Sequence, residues 1–560
     1  MLLQGRALTD NWVQAQVRAV RYKDDESGSI IAFSLFIFLA MIMFGGIAVD
    51  LMMYENRRTS IQNSTDRAVL AAANLNQTVD PKLVVVDYLA KVGVEIDEDD
   101  VEVVEIGTAP VITGRQVSVN VAAQYDTLLM HMVGVDTLPY SAISEAEEAI
   151  NDIEVSLVLD VSGSMGDNDK LPRLKTAAKD FVSGVLAGAE DNRVSLSLVP
   201  YSTQVSVGEA LLEEFTTTQS HDHSFCSNFQ NDNMFDSTAI SQTLQQTGAF
   251  DPWRSWRYGT GLRYPVCRTE AYMDILPWSN NIDTINDQID DFVDGGNTSI
   301  DVAFKWGAAL LDPSMNDVLV ALEDDTTNGV EIDPEFLVRP HAYSFEDGLK
   351  FIVVMTDGIN TDQYYLKNSF KTGSAHRPGQ PTARYYLSGG SVWMKSEEPG
   401  DRDDDGVWNE GWYNLTERKW ANLLDDDDHT GNDYENNTIV VMEQLSWLDF
   451  WSRVTVARYA YAEYHQTSPW DADAYWDNRN EPYTYVPAAD KDDRLADICT
   501  AAKDKGVVVF TIGFEVTDHS AGVMRTCAST PQHFYRVEGL DIEYAFASIK
   551  NQINQLKLTQ

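Results

Sequence analysis

The chain has 560 residues, 44% apolar and 10% aromatic, enough for the cores of three to four domains at roughly 150 residues each. That composition excludes a disordered or low-complexity polymer. With 87 acidic residues against 41 basic ones the net charge is −46, which repels phosphate backbones, excludes nucleic acid as a partner and suits divalent cations.

The first predicted element is a membrane span. Ile30 to Val49 reads IIAFSLFIFLAMIMFGGIAV, without a charge, and covers about 30 Å at about 1.5 Å per residue. It is too long for a signal peptide and has no small-residue cleavage site after it; a buried core helix would carry a polar face. Arg18, Arg21 and Lys23 precede it and Arg57, Arg58 and Arg67 follow, so the positive-inside count is tied. Four cysteines, all beyond residue 225, favour an oxidising compartment for the C-terminal side. Residues 1–28 are then a cytoplasmic N-terminus. The helical spacing of Ile61, Ala68, Val69 and Ala72 carries the helix on over residues 29–79, until Asp80-Pro81 ends it. VEVVEI (101–106) and QVSVNVAA (116–123) read as strands, making residues 80–150 a small membrane-proximal α+β module.

Residues 151–560 follow a different pattern. Ile153–Val161, Val194–Tyr201, Phe351–Asp357 and Val507–Phe514 are nearly continuous apolar runs, as in parallel strands covered on both faces. One helical stripe is Leu171, Leu174, Ala178, Phe181, Val182 and Val185; another is Ile300, Ala303, Gly307 and Leu311. The fold class is α/β, a doubly wound and mainly parallel sheet with ligands beyond the carboxyl ends of its strands. Insertions interrupt it at about 205–290 and 360–490; the second holds eight of the thirteen tryptophans, and insertions this long fold on themselves.

Oxygen donors gather at the predicted strand ends: Asp160, Ser162 and Ser164 after the first run, Asp357 after the third, and Thr298 in a Gly295-Gly296-Asn297-Thr298-Ser299 loop opening a helix. Carboxylates and hydroxyls together suit a hard cation, Mg²⁺ or else Mn²⁺ or Ca²⁺. The bland reading is a strand-end turn with capping serines. Asp160-x-Ser162-x-Ser164, Thr298 and Thr356-Asp357-Gly358, in that order, resemble the metal-ion-dependent adhesion site of von Willebrand factor type A domains, and VVVFTIGF (507–514) resembles a late strand of that fold. The resemblance implies a Rossmann-like sheet whose cation is completed by a partner's Asp or Glu.

The N-terminal segment is similar to Tad-type pilus-assembly proteins of the TadG-like kind, on Val49, Asp50, Gln62, Asp66, Ala68 and Leu70 to Ala73; the C-terminal CASTPQHFYRVEGLDIEYAFASIKNQINQLKLTQ is similar to that family's end. Prepilin-type processing wants a Glu five residues after a Gly, but Phe33 stands five after Gly28, so the helix is expected to stay as an uncleaved anchor. The resemblances imply a single-pass bacterial inner-membrane protein, its large C-terminal part periplasmic, that is not an enzyme. It would take part in Tad/Flp pilus assembly, anchoring or surface attachment, with pilus-assembly or envelope proteins as partners. A stand-alone cation-dependent adhesion or scaffold protein is the alternative.

A serine hydrolase is the rival from another class. Ser162-Gly163-Ser164-Met165-Gly166 resembles a nucleophile elbow around Ser164, with Asp357 and His533 in triad order. The first elbow glycine is missing, however, and Asp160 and Thr298 would have no role. Asp401, Asp403, Asp405 and Asn409 are spaced as in a Ca²⁺ loop, but its twelfth position is Trp412 where a bidentate Glu is needed; a calcium loop and a solvated acidic loop both stay open. The four cysteines allow three pairings or free buried thiols; the most local pairing joins Cys226 to Cys267 and Cys499 to Cys527.

Overall fold

The computed structural model describes residues 27–74, 79–108, 111–149, 152–186, 192–255, 257, 261–325, 329–345, 348–376, 384–402, 408–421, 424–425, 439–440, 442–467 and 472–556. Residues 1–26 of the expected cytoplasmic segment, with Arg18, Arg21 and Lys23, lie outside them, and Ser27 and Gly28 already belong to the first helix. The chain divides after Ile150 into two compact units.

In the first unit a 47-residue helix, α1 (Ser27–Ala73), is long and apolar enough to cross a membrane over its first half. Its second half buries Ile61, Ala68, Val69 and Ala72, the stripe read from spacing, against Val117, Val119 and Val121 of an antiparallel sheet. That sheet is β1 (Val101–Thr108), β2 (Val111–Asp126) and β3 (Thr137–Ala149), with β2 central. One expectation is corrected. Asp80-Pro81 does not end α1, which stops at Ala73; it opens α2 (Pro81–Ala90). The Asp80 carboxylate accepts the Lys82 N–H at 2.9 Å, and proline at the first helical position gives up no hydrogen bond.

The second unit is built on a six-stranded sheet. In chain order its main elements are β4 (Asp152–Asp160), α3 (Lys170–Leu186), β5 (Val194–Tyr201), β6 (Leu276–Ser279), α4 (Ile282–Asp290), α5 (Ile300–Ala309) and β7 (Gly348–Thr356). After an excursion come α6 (Ala488–Asp504), β8 (Val508–Phe514), α7 (Asp518–Cys527), β9 (Phe534–Val537) and α8 (Asp541–Leu556). The strand order is β9-β8-β7-β4-β5-β6, parallel except for β6, which runs antiparallel to β5 at the edge. All four apolar runs are strands of this sheet.

Both faces of the sheet are covered, as continuous apolar strands require. Val155, Leu157 and Leu159 of β4 pack with Leu174, Phe181 and Val185 of α3 and Phe546 of α8, while Val158 faces Val302 and Trp306 of α5. The second helical stripe was expected to be one face of an amphipathic helix. Instead all ten residues of α5 are buried, Asp301 and Lys305 included. The first insertion covers its outer side: Phe215 and Phe229 meet Trp306 edge-on at ring separations of 6.1 and 6.0 Å.

The first insertion is also shorter than its reading of 205–290. Leu276–Ser279 and Ile282–Asp290 belong to the main fold, as the edge strand β6 and as α4, which buries Ile285 and Ile289. Four residues are too few to show a period, and Pro277 is tolerated because an edge strand leaves N–H groups unpaired. The excursion after β7 carries its own aromatic core, in which Trp447 and Trp451 stack at 5.4 Å beside Phe370, Tyr385 and Tyr459; Phe250 and Val266 of the first insertion join it. Cysteines pair as the most local scheme has it, Cys226 with Cys267 and Cys499 with Cys527.

Candidate functional site

The carboxyl ends of β4 and β7 are neighbours, so the residues leaving them meet. Asp160, the last residue of β4, is fully buried. Its carboxylate accepts the Ser162 N–H and the Thr356 hydroxyl, both at 2.8 Å. Beyond it the Ser162 and Ser164 hydroxyls are 3.1 Å apart, and Ser164 Oγ donates to Asp357 Oδ1 at 2.7 Å. Asp357 Oδ2 accepts from Lys170 Nζ at 2.9 Å, with the lysine side chain 9% exposed and the aspartate side chain wholly covered. Burial, and next the charge of Asp357, push the Asp160 carboxyl up to about 7.

Thr298 reaches the same place from the loop before α5. A methyl group added at Gly358 would lie 3.6 Å from Thr298 Oγ1 and 3.8 Å from Ser164 Oγ, so both hydroxyls border the small space this glycine leaves open. Three hydrogen bonds tie the Thr298 loop to the segment after Asp357: Thr298 N–H to Thr361 Oγ1, Thr361 N–H to the Thr298 carbonyl, and Thr361 Oγ1 to that carbonyl, at 3.0–3.1 Å. The Ile300 N–H that opens α5 is capped by Asn360 Oδ1 at 2.8 Å. Gly296 makes the loop's close approach possible. It has φ +81°, a left-handed conformation, and a Cβ there would stand 2.8 Å from Thr203 Oγ1. From the far side Lys491 of α6, fully buried, donates to the Ser299 hydroxyl at 2.5 Å and to the carbonyls of Thr361 and Thr298 at 2.9 and 3.3 Å.

This donor set fits a hard divalent cation. Ligands around an ion with 2.0–2.1 Å bonds in octahedral geometry are about 2.9 Å apart along each edge. The spacings of 3.1 Å (Ser162 to Ser164) and 2.7 Å (Ser164 to Asp357) are hydrogen bonds whose lengths are compatible with that edge. Among the described residues no group of three or more His, Cys, Asp or Glu could hold a metal, so hydroxyls would have to supply part of any shell.

All five residues read from sequence are thus placed around one spot. The sequence reading missed Lys170, Thr356, Asn360, Thr361 and Lys491. Thr356 sits inside the quoted Thr-Asp-Gly signal, whereas Lys170 looks like an ordinary surface lysine at a helix start. The hydrolase geometry is not assembled: Ser164 donates to Asp357 with no imidazole between them, and the His533 ring packs edge-on against Phe510 at 4.6 Å. Of the 401–409 loop, Asp403 and Asp405 lie outside the described residues. Asp401 and Asn409 are on two paired strands, Ser391–Arg402 and Trp408–Asn414, and their side chains also lie outside the described set.

Residues 28–75 match the Tad family model, Flp pilus-assembly TadE/G-like. No curated protein matches the chain by sequence. Among solved structures it is similar to the vWF domain of the type V pili tip protein Mfa5 from Porphyromonas gingivalis, at 13% identity over 74% of this chain and 98% of that one, TM-score 0.30. The adhesive tip pilin GBS104 from Group B Streptococcus agalactiae gives 11% identity over 72% and 99%, TM-score 0.30. The PilB minor pilin from Streptococcus sanguinis gives 14% over 81% and 77%, TM-score 0.26. The first unit thus contains a segment that matches the Tad pilus-assembly family model, and the second unit is mixed α/β.

Proposed function

We propose that the protein is a membrane-anchored adhesion or scaffold component of a Tad/Flp-type pilus system that binds a partner carboxylate through a divalent cation. The observation that carries the reading is the convergence of the Asp160, Ser162, Ser164 and Asp357 oxygens at the carboxyl ends of adjacent parallel strands, with Thr298 beside them. Asp160, Ser162, Ser164, Thr298 and Asp357 hold Mg²⁺, or Mn²⁺ or Ca²⁺, directly or through water. The cation supplies local positive charge on a chain of net −46, without which a partner Asp or Glu would be repelled. The role is one of binding, with no chemical step.

The Tad match over residues 28–75 supports the pilus system, and the apolar half of α1 supports an uncleaved inner-membrane anchor. The two disulfides support a periplasmic location for the second unit, since such bonds persist in oxidising compartments.

The test is a thermal melt of the full chain in detergent micelles with Mg²⁺, Mn²⁺ or Ca²⁺, beside Thr298→Ala. A ligand confined to the folded state stabilises it by about 2.7 kcal/mol at a hundredfold excess over Kd. A Mg²⁺ or Mn²⁺ shift that disappears in Thr298→Ala is the expected result. A Ca²⁺ shift that survives the substitution points to the 401–409 loop, and no shift with any ion overturns the cation-dependent reading.

A further inference from the structure

We propose that the tip of the β2–β3 hairpin, Leu128–Val135, inserts into the bilayer surface where α1 leaves it, giving the protein a second membrane contact. The proposal rests on the reading of Ile30–Val49 as a membrane span.

The hairpin runs down the helix toward that span. Ser144 Oγ donates to Asp66 Oδ1 at 2.8 Å, Gln62 Nε2 to the Ile143 carbonyl at 2.9 Å, and Tyr54 OH to the Pro139 carbonyl at 3.1 Å. Lower still, the buried Asp50 carboxylate accepts the N–H groups of Leu128, Leu129 and Met130 at 2.8, 2.7 and 2.6 Å. From Asp66 to Asp50 the ladder descends about 24 Å at about 1.5 Å per residue. It then passes Asp50: a Cβ at Gly46 would stand 2.8 Å from Leu129 Cβ. Gly46 belongs to the apolar segment, about 6 Å below Asp50 by the same rise. The hairpin tip therefore lies at a level where the helix is already apolar.

Composition and hydrogen bonding fit that depth. The eight residues from Leu128 to Val135 include no Asp, Glu, Lys or Arg, in a chain with 87 acidic residues. Leu128 is 61% exposed, Met132 59% and Val133 38%. Apolar side chains held outward on an acidic protein call for an apolar environment. Backbone groups entering lipid need internal partners. Here Asp50 takes three N–H groups, the N–H groups of Met132, Gly134 and Val135 reach the carbonyls of Leu129, His131 and Met130 at 3.1 Å, and Thr127 N–H reaches the Asp136 carbonyl at 2.9 Å. A depth of about 6 Å falls within the 5–10 Å typical of elements resting at the headgroup–acyl boundary. The occupant of this apolar tip is thus the lipid surface beside the helix.

The experiment uses the full chain reconstituted in nanodiscs of phosphatidylethanolamine and phosphatidylglycerol. Nitroxide labels go at Met132→Cys, Phe38→Cys and Ile143→Cys, all exposed positions that need no repacking. Collision with oxygen, which enriches in lipid, is compared with collision with a water-soluble nickel chelate. Expected are oxygen-to-nickel ratios several-fold higher at Phe38 and Met132 than at Ile143. A lipid-like Phe38 with a Met132 label as nickel-accessible as Ile143 overturns the inserted tip and leaves the span intact. A Met132 label shielded from both probes reports a protein contact and also overturns it. A nickel-accessible Phe38 overturns the span and the insertion together.

Discussion

Lys170 Nζ lies 2.9 Å from Asp357 Oδ2, while Oδ1 of the same carboxylate accepts the Ser164 hydroxyl at 2.7 Å. The carboxylate is thus oriented by an internal ammonium on one side and turned to the candidate cation position on the other. Lys170 balances the Asp357 charge in the structure and would oppose a cation placed beside it. Lys170→Met is expected to lower the melting temperature of the metal-free protein, because breaking a buried pair from one side costs about 3–5 kcal/mol. In the same variant Mg²⁺ should bind at least about tenfold more tightly, since an interaction of 1.4 kcal/mol suffices for that factor and close charges exceed it at an effective dielectric near 20. Calorimetric titration and a melt read both effects; a weakened affinity would mean that Lys170 chiefly holds Asp357 in its ligand pose.

Gly307 is the contact point of α5 with the sheet. A Cβ there would stand 2.8 Å from Val158 Cγ2, and the Gly307 carbonyl accepts the Ser156 hydroxyl at 2.7 Å. Gly307→Ala forces α5 away from β4 and is expected to cost about 1–3 kcal/mol in chemical denaturation. Because α5 opens beside Thr298, the Mg²⁺-induced shift should shrink with it.

Asp274 gives a pH signature independent of the cation position. Burial, with a smaller push from Glu209, raises its carboxyl to about 6 even though Ser206 Oγ donates to it at 2.5 Å. The folded state therefore holds this proton above the unfolded value of 3.8. The stability it contributes is fully present below pH 3.8 and is lost as pH rises through about 6. Asp274→Asn keeps an acceptor for Ser206 and removes the charge. It should flatten the stability profile between those pH values and stabilise the protein at pH 7 by about 1–2 kcal/mol, allowing for partial solvent screening. An unchanged profile would place the titration elsewhere.

The disulfides close loops of 41 and 28 residues. On the chain-entropy account each contributes about 3–4 kcal/mol. Reductant should lower the melting temperature of the second unit, and Cys499→Ser/Cys527→Ser should reproduce part of that loss while leaving the Cys226–Cys267 bridge detectable by mass spectrometry. A melt insensitive to reductant, in a protein whose four cysteines alkylate after unfolding without any reductant, would mean that the thiols are free.

The readable parts of the sequence are those where a strong period or motif fills its own segment. β4, β5, β7 and β8 are apolar on both faces and run seven to nine residues, so their burial shows in composition. Asp160, Ser162, Ser164 and Asp357 stand where strands end, and topology alone brings them together. β6 and β9 were not legible because four residues, Leu-Pro-Trp-Ser and Phe-Tyr-Arg-Val, carry no period and pair only because the rest of the sheet is present. The complete burial of α5 depends on Phe215 and Phe229, more than seventy residues upstream. The roles of Lys170 and Lys491 arise from partners 187 and about 190 residues away, a relation no local spacing encodes.

Lys491 bears on when the site can exist. Its ammonium binds the Thr298 carbonyl and the Ser299 hydroxyl, and lies 3.5 Å from the buried Asp301. The candidate site thus draws on residues from Asp160 to Lys491, more than three hundred positions of chain apart. At a synthesis rate of about 5–20 residues per second, Asp160 waits tens of seconds for the last of these partners to emerge. Until then Asp301 is a carboxylate without its counter-charge, and α5 cannot be buried without penalty. A chain ending before Ala488 would therefore lack the ammonium that ties the Thr298–Ser299 loop to Asp301, and it is expected to leave that loop unanchored on this side.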